Sequence, residues 1–260
     1  MFEGAALFTS LRQCAKLILG PVFAPRVRLM LGTIDKNQFY DVLAYEIMKR
    51  CLGRRSVCVD VGCHKGLFLR WMMRLSPDGT FYAFEPLPEL YKNLTTSFPF
   101  PRVKIFNLAL SNKPGIVSFN HVTSNPGYSG LLKRRYDRPN ETDCTISVSA
   151  DLLDSVIDQA DHIDFIKIDV EGAEYQVLQG AVNTIRKCRP IILFEHGLGG
   201  SDCYGTRPEH VYDLVCGDCG LKVSLLEGWL NGRRPLSRDA FREQFDKQIN
   251  YYFVAHPASM

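Results

Sequence analysis

The sequence predicts an α/β fold built on a mostly parallel seven-stranded sheet with helices on both faces, and three observations lead there. From residue 56 onward, short apolar runs alternate with segments of helical spacing, the pattern of repeated βα units. Pro86, Pro88, Pro190 and Pro208 stand at the borders of those segments, where a residue without an N–H does least harm. The chain has 260 residues, 46% hydrophobic and 23% charged. That is enough to bury one α/β core, and it carries no mark of global disorder.

Ahead of the sheet, the apolar stretch from Ala5 to Val27 is interrupted by Arg12, Lys16 and Arg26. It falls short of the ~18 uncharged apolar residues that a membrane-spanning helix needs, and no signal-peptide cleavage pattern is evident. Leu7 to Leu19 reads as an amphipathic helix lying on the domain or on an oligomer partner, the sharper alternative being peripheral contact with a membrane surface through residues 7–19. A second helix covers Asn37 to Cys51. Residues 1–55 are therefore read as an N-terminal helical segment and 56–260 as the main domain.

The strands follow in order: Val57 to Val61, Thr80 to Phe84, Val103 to Leu108, Ile163 to Asp169, Pro190 to Glu195, Leu221 to Leu226 and Ile249 to Ala255. Between them, Leu67 to Leu75, Pro88 to Ser97, Ala173 to Lys187 and Pro208 to Cys219 have helical spacing. Ser111 to Ser149 breaks the alternation. "GIVSFN" and "CTISVS" read there as strands of a β insertion before the fourth core strand, with a polar loop, Asn125 to Glu141, between them. An insertion of that length is either a lid over the substrate or a solvated excursion.

Charge and cysteine usage narrow the function. The net charge of +3 arises from 31 basic and 28 acidic residues dispersed along the chain, whereas nucleic-acid binders concentrate basic residues on one face; no nucleic-acid partner is expected. Nine cysteines without a regular framework suit a reducing, cytoplasmic setting. One "CGDC" pair, Cys216 and Cys219, lacks the second pair that structural zinc shows, so no metal site is expected. Lys133, Arg134, Arg135 and Arg138 form a basic group in the insertion, either a solvated face or a contact for a phosphate-bearing substrate.

The first strand runs through "SVCVDVG" into "CHKG" and a helix, which sets Gly62 and Gly66 at the strand-to-helix turn. Glycine there lets a ligand approach the backbone beside the unpaired N–H groups of a helix start. Glu85 ends the next strand about 20 residues on, where a carboxylate can accept both hydroxyls of a ribose. A dinucleotide fingerprint needs glycine between these two, but the residue is His64, which favours an adenosine ligand without a diphosphate.

The motifs "VDVGCHKG", "FYAFEPLPELYKNL", "NLALSNKPG", "FIKIDVEGAEYQVLQGA" and "RPIILFEHG" occur in this order over residues 56–196. Together they resemble the FkbM-type family of class I S-adenosylmethionine-dependent methyltransferases. The resemblance implies a Rossmann-like sheet with a reversed last strand and S-adenosyl-L-methionine over the carboxyl ends of its first two strands. It also implies that Gly62 and Gly66 shape the turn under the methionine part, that Asp60 helps hold the methionine ammonium and that Glu85 binds the ribose. Asn107 and Ala109 would border the adenine, with Cys63 and Pro86 completing the cofactor set. Cys63 and His64 depart from the family's usual alanine and asparagine.

"DFIKIDVEGAE" ends the fourth core strand, and alternation points Lys167 and Asp169 to one side of it. Charge is unusual in a buried strand. Lys167 and Asp169 are therefore either catalytic or an ion pair organising the strand end, while Glu171 and Glu174 also suit the start of the following helix. Methyl transfer to an alcohol needs a base for the hydroxyl proton. Asp169, Glu171 and His196 are the candidates, with Glu195 placed to orient His196 or bind substrate. The expected activity is O-methylation of a hydroxyl on a sugar or small metabolite. N-methylation of another acceptor and a catalytically silent nucleotide-binding module are the alternatives.

Overall fold

The computed structural model describes residues 22–136, 138–157 and 162–258; the helix expected over Leu7 to Leu19 lies outside them. Helix α1 (Phe23–Met30) leads into α2 (Lys36–Cys51). Helix α2 opens on a capping box: the Asp35 carboxylate accepts from the Gln38 N–H at 2.7 Å, and the Gln38 side chain accepts from the Asp35 N–H at 3.2 Å. Two otherwise orphaned donors are thereby satisfied.

The βα alternation then follows: β1 (Val57–Val61), α3 (Leu67–Leu75), β2 (Thr80–Phe84), α4 (Pro88–Ser97) and β3 (Val103–Phe106). The insertion supplies β4 (Ala109–Leu110), β5 (Gly115–Val122) and β6 (Asp143–Asp151). After the short α5 (Leu153–Val156) come β7 (Phe165–Ile168), α6 (Glu174–Gln179), α7 (Val182–Cys188), β8 (Ile191–Glu195) and α8 (Pro208–Tyr212). The remaining elements are β9 (Lys222–Leu225), α9 (Leu226–Leu230), α10 (Arg238–Asp246) and β10 (Tyr252–His256).

Seven strands form one sheet in the order β3-β2-β1-β7-β8-β10-β9. β10 runs antiparallel to both of its neighbours, and the other pairs are parallel. The expected seven-stranded sheet with a reversed last strand is therefore present. Alternation along each strand divides the core between the two faces. Val59, Val61, Ile166 and Ile168 pack with Val177, Ile185 and Phe241 on one side. Cys58, Phe81 and Phe165 pack with Leu43 and Ile47 of α2 and Leu69 of α3 on the other.

Several borders differ from the sequence reading, each for a local reason. The third strand stops at Phe106 because the Asn107 side-chain amide donates to the Glu85 and Pro86 carbonyls at 3.0 and 2.9 Å. The chain then leaves the sheet, and Ala109–Leu110 joins the small sheet β4-β6-β5 of the insertion. The single helix expected over Ala173 to Lys187 is broken in two at Gly180. A Cβ there would lie 2.1 Å from the Ser111 carbonyl oxygen, so the main chains are in close contact. Past Tyr212 the eighth helix widens into one π turn, Asp213–Asp218. The last strand begins at Tyr252 because Ile249 is still bonded through its N–H to the Gln244 carbonyl at 2.9 Å.

Candidate active site at the carboxyl ends of the strands

The ends of β1, β2 and β7 converge, and glycine permits it. Gly62 has φ of 72°, and a Cβ on it would stand 1.9 Å from the Asp169 carbonyl oxygen. Only glycine allows both that backbone and that approach. Gly66 has φ of 76° and would drive a Cβ into the Phe98 ring at 2.6 Å. Both glycines are thus required by the packing of the chain itself, a reason that strand-and-turn spacing does not reveal.

Glu85 closes the end of β2. Its Oε2 accepts from the His64 N–H at 2.8 Å and its Oε1 from the Leu87 N–H at 3.0 Å, so the carboxylate is held rigidly between two turns. Burial pushes its pKa up, and the two N–H bonds oppose that shift. Gly62, His64, Glu85, Pro86, Ala109 and Asp169 border a cavity here, together with apolar side chains from the insertion that include Phe119 and Leu131. Asn107 supports that wall from behind through its bonds to the Glu85 and Pro86 carbonyls.

Under the Gly62 turn lies a buried charged group. Lys167 Nζ donates to the Gly62 carbonyl at 2.8 Å and stands 3.4 Å from Asp169 Oδ2 and 3.5 Å from Asp60 Oδ1. Burial alone would lower its pKa, but Asp169 first and Asp60 second more than offset this and hold it above the usual value. Both Asp60 carboxylate oxygens are buried and lack a nitrogen or oxygen hydrogen-bond donor among the described residues, their nearest polar neighbours being Lys167 and the Cys63 thiol. Cys63 is buried beside Asp60. Neither Asp60, Cys63 nor Gly66 borders the cavity itself.

A second cavity shares Asp169 and Glu171 with the first. Glu171 sits in left-handed backbone, φ 59°, and its carboxylate pairs with the Arg134 guanidinium from the insertion. Burial and then Asp169 push the Glu171 pKa up to about 8, against Arg134. Glu174 accepts from the Val170 and Gly172 N–H groups at 3.0 and 3.1 Å, pinning the loop that carries Glu171, and burial lifts its pKa to about 7. Glu195 also borders this second cavity, and burial raises its carboxyl well above the usual range.

His196 does not join them. Its ring is stacked against Phe241 and Phe245, with centroids at 5.7 and 4.8 Å, and is 1% exposed. Burial drives its pKa down to about 3, and it borders neither cavity. The sequence reading missed Asn37, Tyr40 and Asp41 of α2 and Tyr251 before β10, all on the second cavity; nothing in their local pattern sets them apart from surface residues. The insertion lies over both cavities, with Phe119, Pro126 and Leu131 on the first and Tyr128 and Arg134 on the second. Among the described residues no group of His, Cys, Asp and Glu is arranged to hold a metal ion, and no helix is long and apolar enough to cross a membrane.

Comparison with known proteins places this geometry in context. Residues 60–217 match the model of the methyltransferase FkbM domain. The chain is 30% identical to the 2-O-methyltransferase NoeI of Sinorhizobium fredii over 147 residues, 51% of this chain and 60% of that protein. It is 31% identical to methyltransferase sdnD of Sordaria araneosa over 152 residues, 47% of this chain and 59% of that protein. These matches span about three-fifths of the length of the curated relatives. A crystal structure of a methyltransferase FkbM from Methylobacillus flagellatus superposes with a TM-score of 0.49 at 15% identity, covering 79% of this chain and 44% of that one.

Proposed function

Because the chain belongs to the FkbM methyltransferase family, we propose that it moves the methyl group of S-adenosyl-L-methionine to a hydroxyl oxygen of a sugar or small metabolite. The observation that carries this reading is the meeting of two cavities at Asp169 and Glu171: a cofactor chamber and an acceptor chamber need one shared wall where transfer takes place. NoeI, named as a 2-O-methyltransferase, supports oxygen over nitrogen as the acceptor atom. Residues 56–260 then form the methyltransferase domain, preceded among the described residues by α1 and α2.

The first cavity fits the cofactor chemically. Glu85, presented between two turns, accepts from ribose hydroxyls, Pro86 and Ala109 border the adenine, and Asn107 holds that wall from behind. Asp60, buried with Lys167 beneath the turn made by Gly62, Cys63 and Gly66, would favour the methionine ammonium through its negative charge. When bound, the cofactor supplies a methyl group made electrophilic by its sulfonium sulfur. The chain's part is alignment and proton removal. Asp169 accepts the proton of the attacking hydroxyl, and Lys167, which also grips the Gly62 carbonyl, fixes where that carboxylate stands. Glu171 and Arg134 close the chamber against water. His196, stacked away from both cavities, takes no part.

Methyl transfer from labelled S-adenosyl-L-methionine onto fractionated cell extract, with mass spectrometry of the product, identifies acceptor and atom together. With that acceptor, Asp169→Asn should lower turnover by about 10²- to 10⁴-fold, while affinity for S-adenosylhomocysteine falls much less. Turnover that survives in Asp169→Asn and collapses in His196→Asn would make the histidine the base. Tight cofactor binding without any product would mark a silent nucleotide-binding module.

A further inference from the structure

The second cavity has walls of two origins. Asp169, Glu171 and Glu195 stand within residues 60–217, the span that matches the family. Asn37, Tyr40 and Asp41 come from α2 and Tyr251 from the turn before β10, both outside that span. These outer walls are stitched to each other. Lys36 Nζ donates to the Ile249 carbonyl at 2.6 Å, the Tyr40 hydroxyl donates to Asn250 Oδ1 at 2.8 Å, and the Tyr251 hydroxyl donates to Asn37 Oδ1. The Tyr40 ring meets the Tyr251 ring edge-on at 5.0 Å. The first turn of α2 is therefore fixed over the cavity, and Asp41 with it.

Asp41 is half-buried, and its side chain makes no hydrogen bond or ion pair with any described residue. Burial and the nearby Asp169 both push its pKa up, so its carboxylate would gain from a donor. Three considerations select the donor's chemistry. The carboxylates of Asp41 and Asp169 repel an anion such as a phosphate. The positive charge in reach, Lys167 and Arg134, is already matched by Asp60, Asp169 and Glu171. Aromatic rings of Phe68, Tyr128 and Tyr251 line the same space, which suits a ring with both apolar faces and hydroxyl edges.

We infer that Asp41 is an acceptor-binding residue that sets specificity: its carboxylate accepts a hydrogen bond from a hydroxyl next to the one methylated, so the acceptor of this chain is a neutral ring bearing a vicinal diol. The inference rests on the methyltransferase reading above. It assigns the choice of acceptor to the two ends of the described chain and leaves the cofactor and the base to the family's common span.

The test uses the full chain saturated with S-adenosylhomocysteine, titrated with methyl glucoside, methyl galactoside and methyl mannoside as pyranosides, with cyclohexanol as the monohydric control. At least one pyranoside should bind better than cyclohexanol. Asp41→Ala should weaken that binding by about tenfold or more, and Asp41→Asn, equal in size, should weaken it less, while both keep the wild-type affinity for S-adenosylhomocysteine. Pyranoside binding unchanged in both variants, cyclohexanol binding as tightly as every pyranoside, or no pyranoside binding to the loaded wild type would each overturn the inference and leave the cofactor reading standing. Loss of S-adenosylhomocysteine affinity in both variants would also overturn it, by making Asp41 a residue of the fold. Failure of the wild type to bind S-adenosylhomocysteine would instead overturn the cofactor reading, and the inference with it.

Discussion

Glu85 shows how one side chain can serve the backbone and a ligand together. Its carboxylate holds the His64 and Leu87 N–H groups, which leaves lone pairs that can face the cavity. Replacing it with alanine removes the tie between the two turns and would remove the proposed bonds to the ribose. Glu85→Ala should weaken S-adenosylhomocysteine binding by on the order of 2 to 4 kcal/mol in a calorimetric titration, and an unchanged affinity would remove Glu85 from the site. His196 gives a different signal, in stability. Its ring stays neutral in the folded protein down to about pH 3, against 6.5 for an exposed imidazole. The stability it contributes is whole above pH 6.5 and is lost as pH falls toward 3, by roughly 1.4 kcal/mol per pH unit. His196→Phe keeps a flat ring against Phe241 and Phe245 but takes no proton. In urea titrations, its stability relative to wild type should therefore climb steadily between pH 6 and pH 4; a difference that stays constant over that range would mean His196 is open to solvent.

Among the elements, α2 depends most visibly on its first turn, since the capping box at Asp35 and Gln38 also sets the direction in which Asn37, Tyr40 and Asp41 leave the helix. Asp35→Ala should lower stability by about 1 kcal/mol, measured by the urea midpoint at constant slope; a change under about 0.3 kcal/mol would mean the cap is made by water instead. The strands of the large sheet were legible because burial on both faces writes them as apolar runs. The helix after β7 was legible only as one periodic stretch. Its break at Gly180 answers to the Ser111 carbonyl, far away in sequence. The end of β3 was missed for a similar reason, because Asn107 spends its amide on carbonyls at the end of β2.

On the scale of the whole molecule, Gly62, Glu85, Lys167 and Asp169 were legible because each belongs to a contiguous strand-end motif. The second cavity was not, since its outer walls meet only after the sheet is complete, and a histidine next to a strand end looks the same in sequence whether it faces a cavity or, like His196, a pair of phenylalanines. The position of β10 carries a consequence for biosynthesis. It lies between β8 and β9 yet follows both in the chain. A ribosome therefore delivers β9 while its sole neighbour in the sheet is still unmade, and β8 waits with one side open. A nascent or prematurely terminated product ending before Tyr252 would present two unpaired edges and the uncovered apolar residues Leu193, Phe194 and Val223. Such edges pair readily with those of other chains, so the quality control of this protein turns on whether its last strand has arrived.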